Sequence, residues 1–167
     1  QNVQIALFLL SQLLKLVPIQ KLAHKDTEIV VSGSRATTRI PDLMVLSDEL
    51  VEALQHSARS TILPDMPPPL LVVEVVSPGK ANEDRDYRYK RSEYAARGIA
   101  EYWIVDPVNA QVMVLVLVEG FYEATTFQVK ETIQSTLFSE LELTVEQILN
   151  ATDRPSSSPE PHRPPEA

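Results

Sequence analysis

The 167-residue chain contains no cysteine. That excludes disulfide frameworks, cysteine-ligated zinc and thiol nucleophiles, and it fits a reducing compartment such as the cytoplasm. Histidine is scarce as well: His24, His56 and His162 stand far apart, without metal-ligand spacing. No apolar run approaches the roughly 18 residues that cross a bilayer, so no membrane partner is expected. No Walker A loop, G-x-S-x-G elbow or H-E-x-x-H pair occurs, and no G-x-G-x-x-G follows a strand, which excludes a Rossmann unit. There is no internal repeat.

What is present is the profile of one soluble globular domain, with 44% apolar and 23% charged residues, and the order of its expected helices and strands makes it a mixed α/β one. The formal charge of −8 argues at first against a nucleic-acid partner. Its distribution changes that argument. Residues 1–100 hold twelve Lys/Arg and twelve Asp/Glu, whereas residues 101–150 hold one lysine and eight acids.

Apolar positions from Val3 to Val17 predict a largely buried helix over 2–16, ended by Pro18. Strands are expected at Glu28–Ser32 and at Pro41–Leu46, the second entered through a proline whose missing N–H is cheapest at a strand start. Asp48–Gln55 reads as a helix with Ser47 as its N-cap. Leu70–Val76 (LLVVEVV) is continuous enough for a central strand buried on both faces. Glu83–Arg97 follows as a charged amphipathic helix stopped by Gly98, then Tyr102–Val105 as a strand. A hairpin over 111–129 turns at Glu119-Gly120, and a short helix near 145–149 closes the domain. The Pro/Ser-rich stretch 151–167 is expected to be disordered. The hairpin's Val112, Val114, Val116 and Val118 suit either core packing or a homodimer face.

Glu74, in the middle of LLVVEVV, is the most informative residue. An ionised group there costs several kcal/mol unless something compensates it. Asp42 begins another strand directly after Pro41. Two carboxylates on neighbouring strands suit a hard divalent cation, Mg²⁺ or Mn²⁺, which takes oxygen ligands and keeps several waters. Such an ion acidifies bound water and stabilises charge on a phosphoryl oxygen.

On the following helix Asp86, Lys90, Tyr94 and Gly98 recur every four residues. Two readings of Lys90 stand level. Either its ammonium reaches the strand ends beside Glu74, or it makes an i,i+4 ion pair with Asp86 on a solvated face. Lys80 is a nearer rival in a Gly-Lys-Ala-Asn turn. The polar stretch Ser34, Arg35, Thr37, Thr38 and Arg39 suits phosphate contact or a plain solvated loop. Trp103 reads as core, and His24 and His56 as surface. Lys80, Arg85, Arg88, Lys90, Arg91 and Arg97 gather near the expected site, diluted by Glu83, Asp84, Asp86 and Glu93.

Pro41-Asp42, then Glu74-Val75-Val76-Ser77-Pro78, then the spacing Asp86, Lys90, Tyr94, Gly98, then Glu101-Tyr102-Trp103-Ile104-Val105-Asp106 resemble the Uma-two restriction-endonuclease family. This family, formerly a domain of unknown function, is part of the PD-(D/E)XK nuclease superfamily. The likeness spans about residues 1–150. It implies a restriction-endonuclease-like core, a mixed central sheet flanked by helices, with Asp42 and Glu74 as metal ligands. The superfamily's usual lysine, two residues after the second acid, is Val76 here. The family's shifted lysine maps onto Lys90. The resemblance also implies a further acid from the N-terminal helix and a Glu-bearing segment before it. Helix 2–16 has no Asp or Glu, so the chain reads either as a fragment or as a copy that has lost part of its site.

The expectation is therefore a metal-dependent endonuclease-like domain that hydrolyses DNA phosphodiester bonds through Asp42, Glu74 and Lys90. Its rival is a catalytically inactive nuclease fold kept as a binding or assembly module.

Overall fold

The computed structural model describes residues 1–152. The stretch 153–167, which holds most of the expected disordered tail, lies outside the described residues.

Strand β6 (Leu71–Val75) is the axis of the molecule, and all five of its residues are buried. Its side chains alternate between two cores. Leu71, Val73 and Val75 join one cluster, while Val72 and the following Val76 join the other. Glu74 therefore points to the side of Val72 and Val76. Six strands form the main sheet, in the order β1 (Leu22–Ala23), β4 (Leu43–Val45), β6, β7 (Glu101–Asp106), β8 (Gln111–Val118) and β9 (Phe121–Gln128). β6 and β7 run parallel and every other neighbouring pair is antiparallel. A parallel pair needs a crossover, and one long helical segment, α3 (Lys80–Asp84) continued through a π turn into α4 (Lys90–Ala96), supplies it.

Each face of the sheet is covered. On one side α1 (Asn2–Leu13) and α5 (Val145–Leu149) pack on Val73, Trp103, Val105 and Val112. On the other lie the crossover helix, α2 (Asp48–Gln55) and a three-stranded sheet of β3 (Thr38–Arg39), β2 (Glu28–Val30) and β5 (Thr61–Ile62). Fully buried side chains such as Trp103, Leu9 and Ile29 each contribute roughly 1.5–3 kcal/mol. The expected mixed α/β core with flanking helices is the observed one.

Local signals explain the element ends. The Ser47 hydroxyl accepts from the Leu50 N–H at 3.1 Å and caps α2. Gly98 takes φ 75°, and its N–H and that of Ile99 donate to the carbonyls of Ala95 and Tyr94, the Schellman closure that favours glycine. Thr144 and Gln147 form a reciprocal capping box at α5.

Several details depart from the sequence reading. The first helix ends at Leu13 and buries one stripe only, Ile5, Leu9 and Leu13, while Val3 is 50% exposed. The crossover helix starts at Lys80, after Gly79 at φ 110°, so Lys80 opens a helix instead of sitting in a turn. Thr38 and Arg39, read as loop, form β3; two-residue strands leave no periodicity to find. His24 is half-buried, with an Nε2 that has no hydrogen-bond partner among the described residues. Val112 and Val114 of the hairpin are buried in the core, so that part of its apolar face is spent on packing.

Candidate active site

The site lies where β4 and β6 emerge beneath the crossover helix. Leu43 pairs with Val73, so one further step along the antiparallel register sets Asp42 opposite Glu74, and paired residues share a face. Pro41 directly before Asp42 carries no N–H to join the ladder. One Asp42 oxygen, Oδ2, accepts from the Val75 N–H at 2.8 Å. The other, Oδ1, lies 3.1 Å from the Lys25 Nζ.

Glu74 is held by two groups from the crossover helix. Its Oε1 accepts from the Tyr94 hydroxyl at 2.6 Å, and its Oε2 lies 2.8 Å from the Lys90 Nζ. Lys90 in turn lies 2.8 Å from Asp86 Oδ1. Both readings of Lys90 therefore hold in part, because the i,i+4 pair with Asp86 exists and the ammonium also reaches Glu74. The solvated face does not: Asp86 and Lys90 are buried. The wide π-helical turn Arg85–Tyr89 precedes Lys90, and such turns recur at functional sites.

Burial pushes the Glu74 carboxyl above the ordinary carboxylate range, and the charge of Asp42 adds to this, while Lys90 and the Tyr94 hydroxyl pull the other way. Burial and the facing Glu74 raise the Tyr94 phenol well above its usual value. Tyr94 is thus a proton donor to Glu74, fixing which oxygen remains with Lys90.

Lys25, Asp42, Glu74 and Lys90 line an open cleft of about 480 Å³. Thr38, Arg39 and Arg85 complete its wall, and Asn2 lines it from the start of α1. The Asn2 amide donates to the Val75 and Val76 carbonyls and to the Ser77 hydroxyl. A neutral amide thus stands at the end of the helix from which the resemblance implies an acid. Arg39 grips Glu93 of the crossover helix through two hydrogen bonds of 2.7 and 2.9 Å, the fork geometry that resists displacement. This pair clamps β3 to the helix. Gly33 comes so close that a Cβ there would collide with the Glu93 carboxylate.

The two carboxylates and Lys90, expected from sequence, are therefore brought together. The remaining basic residues disperse. Arg91 donates to the Tyr122 carbonyl, and Arg97 to those of Leu63 and Pro64. Lys80 is 85% exposed beside Asp84 and does not line the cleft. Arg35 stacks on Tyr89, 4.3 Å from the ring centre, over a second cavity of about 290 Å³ bordered by Ser32, Ser34 and Ser92. Sequence reasoning missed Lys25, seventeen residues before the acid it pairs with, and no local pattern could have found it.

Among the described residues no three acidic or histidine side chains gather as a metal cage. The donor set that is present, two carboxylates at an open cleft, fits a hard divalent cation that keeps most of its waters. It does not fit a zinc-type site closed by protein ligands.

The family model Uma2, described as "Putative restriction endonuclease", matches residues 1–146. The chain superposes on the crystal structure of a putative nuclease belonging to DUF820 from Anabaena variabilis ATCC 29413 with a TM-score of 0.67. The match has 14% sequence identity and covers 90% of this chain and 80% of that one. At that identity the likeness concerns the fold. No protein of curated function matches the chain.

Proposed function

The chain belongs to the Uma2 family, and on that premise we propose that its cleft hydrolyses DNA phosphodiester bonds with a divalent cation, Mg²⁺ or Mn²⁺, held by Asp42 and Glu74. The observation that carries this reading is the pair of opposed carboxylates at an open cleft, with the Lys90 ammonium 2.8 Å from Glu74. A cation bound there supplies acidified water and positive charge for the phosphoryl oxygens.

The protein's own groups do the rest. The Val75 N–H fixes the orientation of Asp42, and the Tyr94 hydroxyl fixes that of Glu74. Asp86 holds Lys90 at the cleft wall, where the ammonium can offset negative charge that develops on the scissile phosphate. Arg85, 38% exposed at the cleft, is placed to meet a phosphate of the incoming strand.

The test is cleavage of supercoiled plasmid with Mg²⁺ or Mn²⁺ by the wild type and by Asp42→Asn, Glu74→Gln and Lys90→Met variants. Nicking by the wild type that each variant loses while its circular dichroism is retained supports the reading. Equal activity in all four rejects the site assignment, and an inert wild type rejects the activity.

A second reading, a nuclease fold retained as a binding or assembly module, draws on Asn2 at the place of an implied acid and on carboxylates already paired with lysines. Calorimetric Mn²⁺ titration separates the two. A module without a metal site binds Mn²⁺ no better than its Asp42→Ala variant.

A further inference from the structure

The two lysines of the cleft are held in different ways. Lys90 is 9% exposed and bridges two buried carboxylates, Glu74 and Asp86. Lys25 is 42% exposed and has one charged partner among the described residues, Asp42 Oδ1 at 3.1 Å. It sits in the turn between β1 and β2 with φ 55°, a left-handed conformation that non-glycine residues disfavour. We infer that Lys25 is an exchangeable counter-ion. It keeps Asp42 neutralised until a divalent cation displaces it, and its freed ammonium then binds a phosphate of the nucleic acid. This deepens the proposed function and rests on it.

Three observations lead there. The first is proximity. A hard cation would lie about 2.1 Å from an Asp42 oxygen; Oδ2 is engaged by the Val75 N–H, and Oδ1 already faces an ammonium. Both cations on one oxygen would repel each other strongly, so one must leave.

The second is ease of release. An ion pair this exposed adds little stability and parts readily, whereas the buried Lys90 could not withdraw without leaving the buried Glu74 with no cationic partner among the described residues.

The third is charge balance. Asp42, Glu74, Asp86 and Glu93 are matched by Lys25, Lys90, Arg85 and Arg39. A polyanion approaching this neutral wall gains little. A divalent cation makes the wall net positive and releases a mobile lysine at its rim, so cation and nucleic acid strengthen each other's binding, reciprocally by linkage.

The experiment is Mn²⁺ calorimetry on the full chain for the wild type, Lys25→Met, Lys25→Arg and Asp42→Asn. It is joined by anisotropy of a short labelled duplex in Mn²⁺, with the duplex checked intact on a gel. Lys25→Met is expected to bind Mn²⁺ about two- to fivefold tighter than the wild type, the release of a pair of this exposure. It should nevertheless hold the duplex more weakly when Mn²⁺ is present. Lys25→Arg should restore both values toward wild type, and Asp42→Asn should lose Mn²⁺. Mn²⁺ affinity unchanged or weakened in Lys25→Met, with a wild type that binds Mn²⁺, overturns this inference and leaves the metal site standing. Unchanged duplex affinity overturns the second half of it. A wild type that binds no Mn²⁺ overturns both the inference and the metal reading beneath it.

Discussion

A carboxylate inside a buried strand must be compensated, and Glu74 is compensated twice, by Lys90 and by the Tyr94 hydroxyl. The arrangement gives Lys90 a structural part beside the one proposed for it in the chemistry. Lys90→Met strands Glu74 as a buried acid and leaves Asp86 to Arg85 alone, and it should lower unfolding stability by about 3–5 kcal/mol, measured by urea titration. Loss of cleavage in that variant is therefore informative only at temperatures where it remains folded. Tyr94→Phe is milder, since it orphans one carboxylate oxygen, and a loss of about 1–3 kcal/mol is expected.

Asp106 offers a pH test away from the site. Burial pushes its carboxyl up, but hydrogen bonds from the Asn109 side chain and backbone, Tyr87 and Val108 outweigh this and hold it below its usual value. A depressed native value means that the unfolded chain binds more protons in the acid range, so the stability it contributes is present above about pH 4 and lost as pH falls through the native value. The stability difference between wild type and Asp106→Asn should shrink correspondingly below pH 4 in acid unfolding curves. Glu74 itself was legible in the sequence because an isolated acid in LLVVEVV is so costly. Lys25 was not, because its pairing depends on a turn that brings β1 beside β4, and nothing near residue 25 records that.

At the scale of elements, the crossover helix is the part that assembles the site, and its wide turn was not legible. The four-residue repeat of Asp86, Lys90 and Tyr94 suggests a regular helix, whereas Arg85–Tyr89 opens into a π turn, and Asp86 faces inward beside Lys90. The helix's end at Gly98 was legible, because a left-handed C-terminal position demands glycine. Clamping of β3 onto this helix through Arg39 and Glu93 gives a further prediction. Gly33→Ala would drive a methyl group into Glu93, costing about 1–3 kcal/mol as overpacking does. It should lower plasmid cleavage even though residue 33 does not line the cleft. Thermal melting and the cleavage assay together check both halves. Cleavage unchanged in a destabilised variant would separate the clamp from the site.

For the whole molecule, the net charge of −8 misleads unless it is mapped. The cleft wall is balanced, and the acidic excess falls on residues beyond Gly98. Some of those acids are internal fasteners: Glu101 is fully buried and accepts hydrogen bonds from Trp103, Thr136 and Leu137. Duplex binding without a divalent cation should accordingly be weak, no tighter than the roughly 10⁻⁴ M end of non-specific association, and it should strengthen when Mn²⁺ is added. Anisotropy at fixed ionic strength checks this, and tight metal-free binding would contradict the balanced wall. The central strand was legible from its nearly unbroken β-branched and aliphatic run, which only a sheet covered on both sides can bury. Which residues from the two halves meet at the cleft was not, since that depends on long-range register.

Trp103 is the chain's single tryptophan. It lies on the α1 side of the sheet, the opposite face from the cleft, wholly buried, with its indole N–H donating to Glu101 at 2.6 Å. Its emission therefore reports the integrity of the larger core and is shielded by the sheet itself from events at Asp42 and Glu74. A variant that loses cleavage with an unaltered emission maximum has lost chemistry, and one whose spectrum shifts to the red has lost its fold. The protein thus carries an internal optical control for each of the substitutions proposed for its cleft.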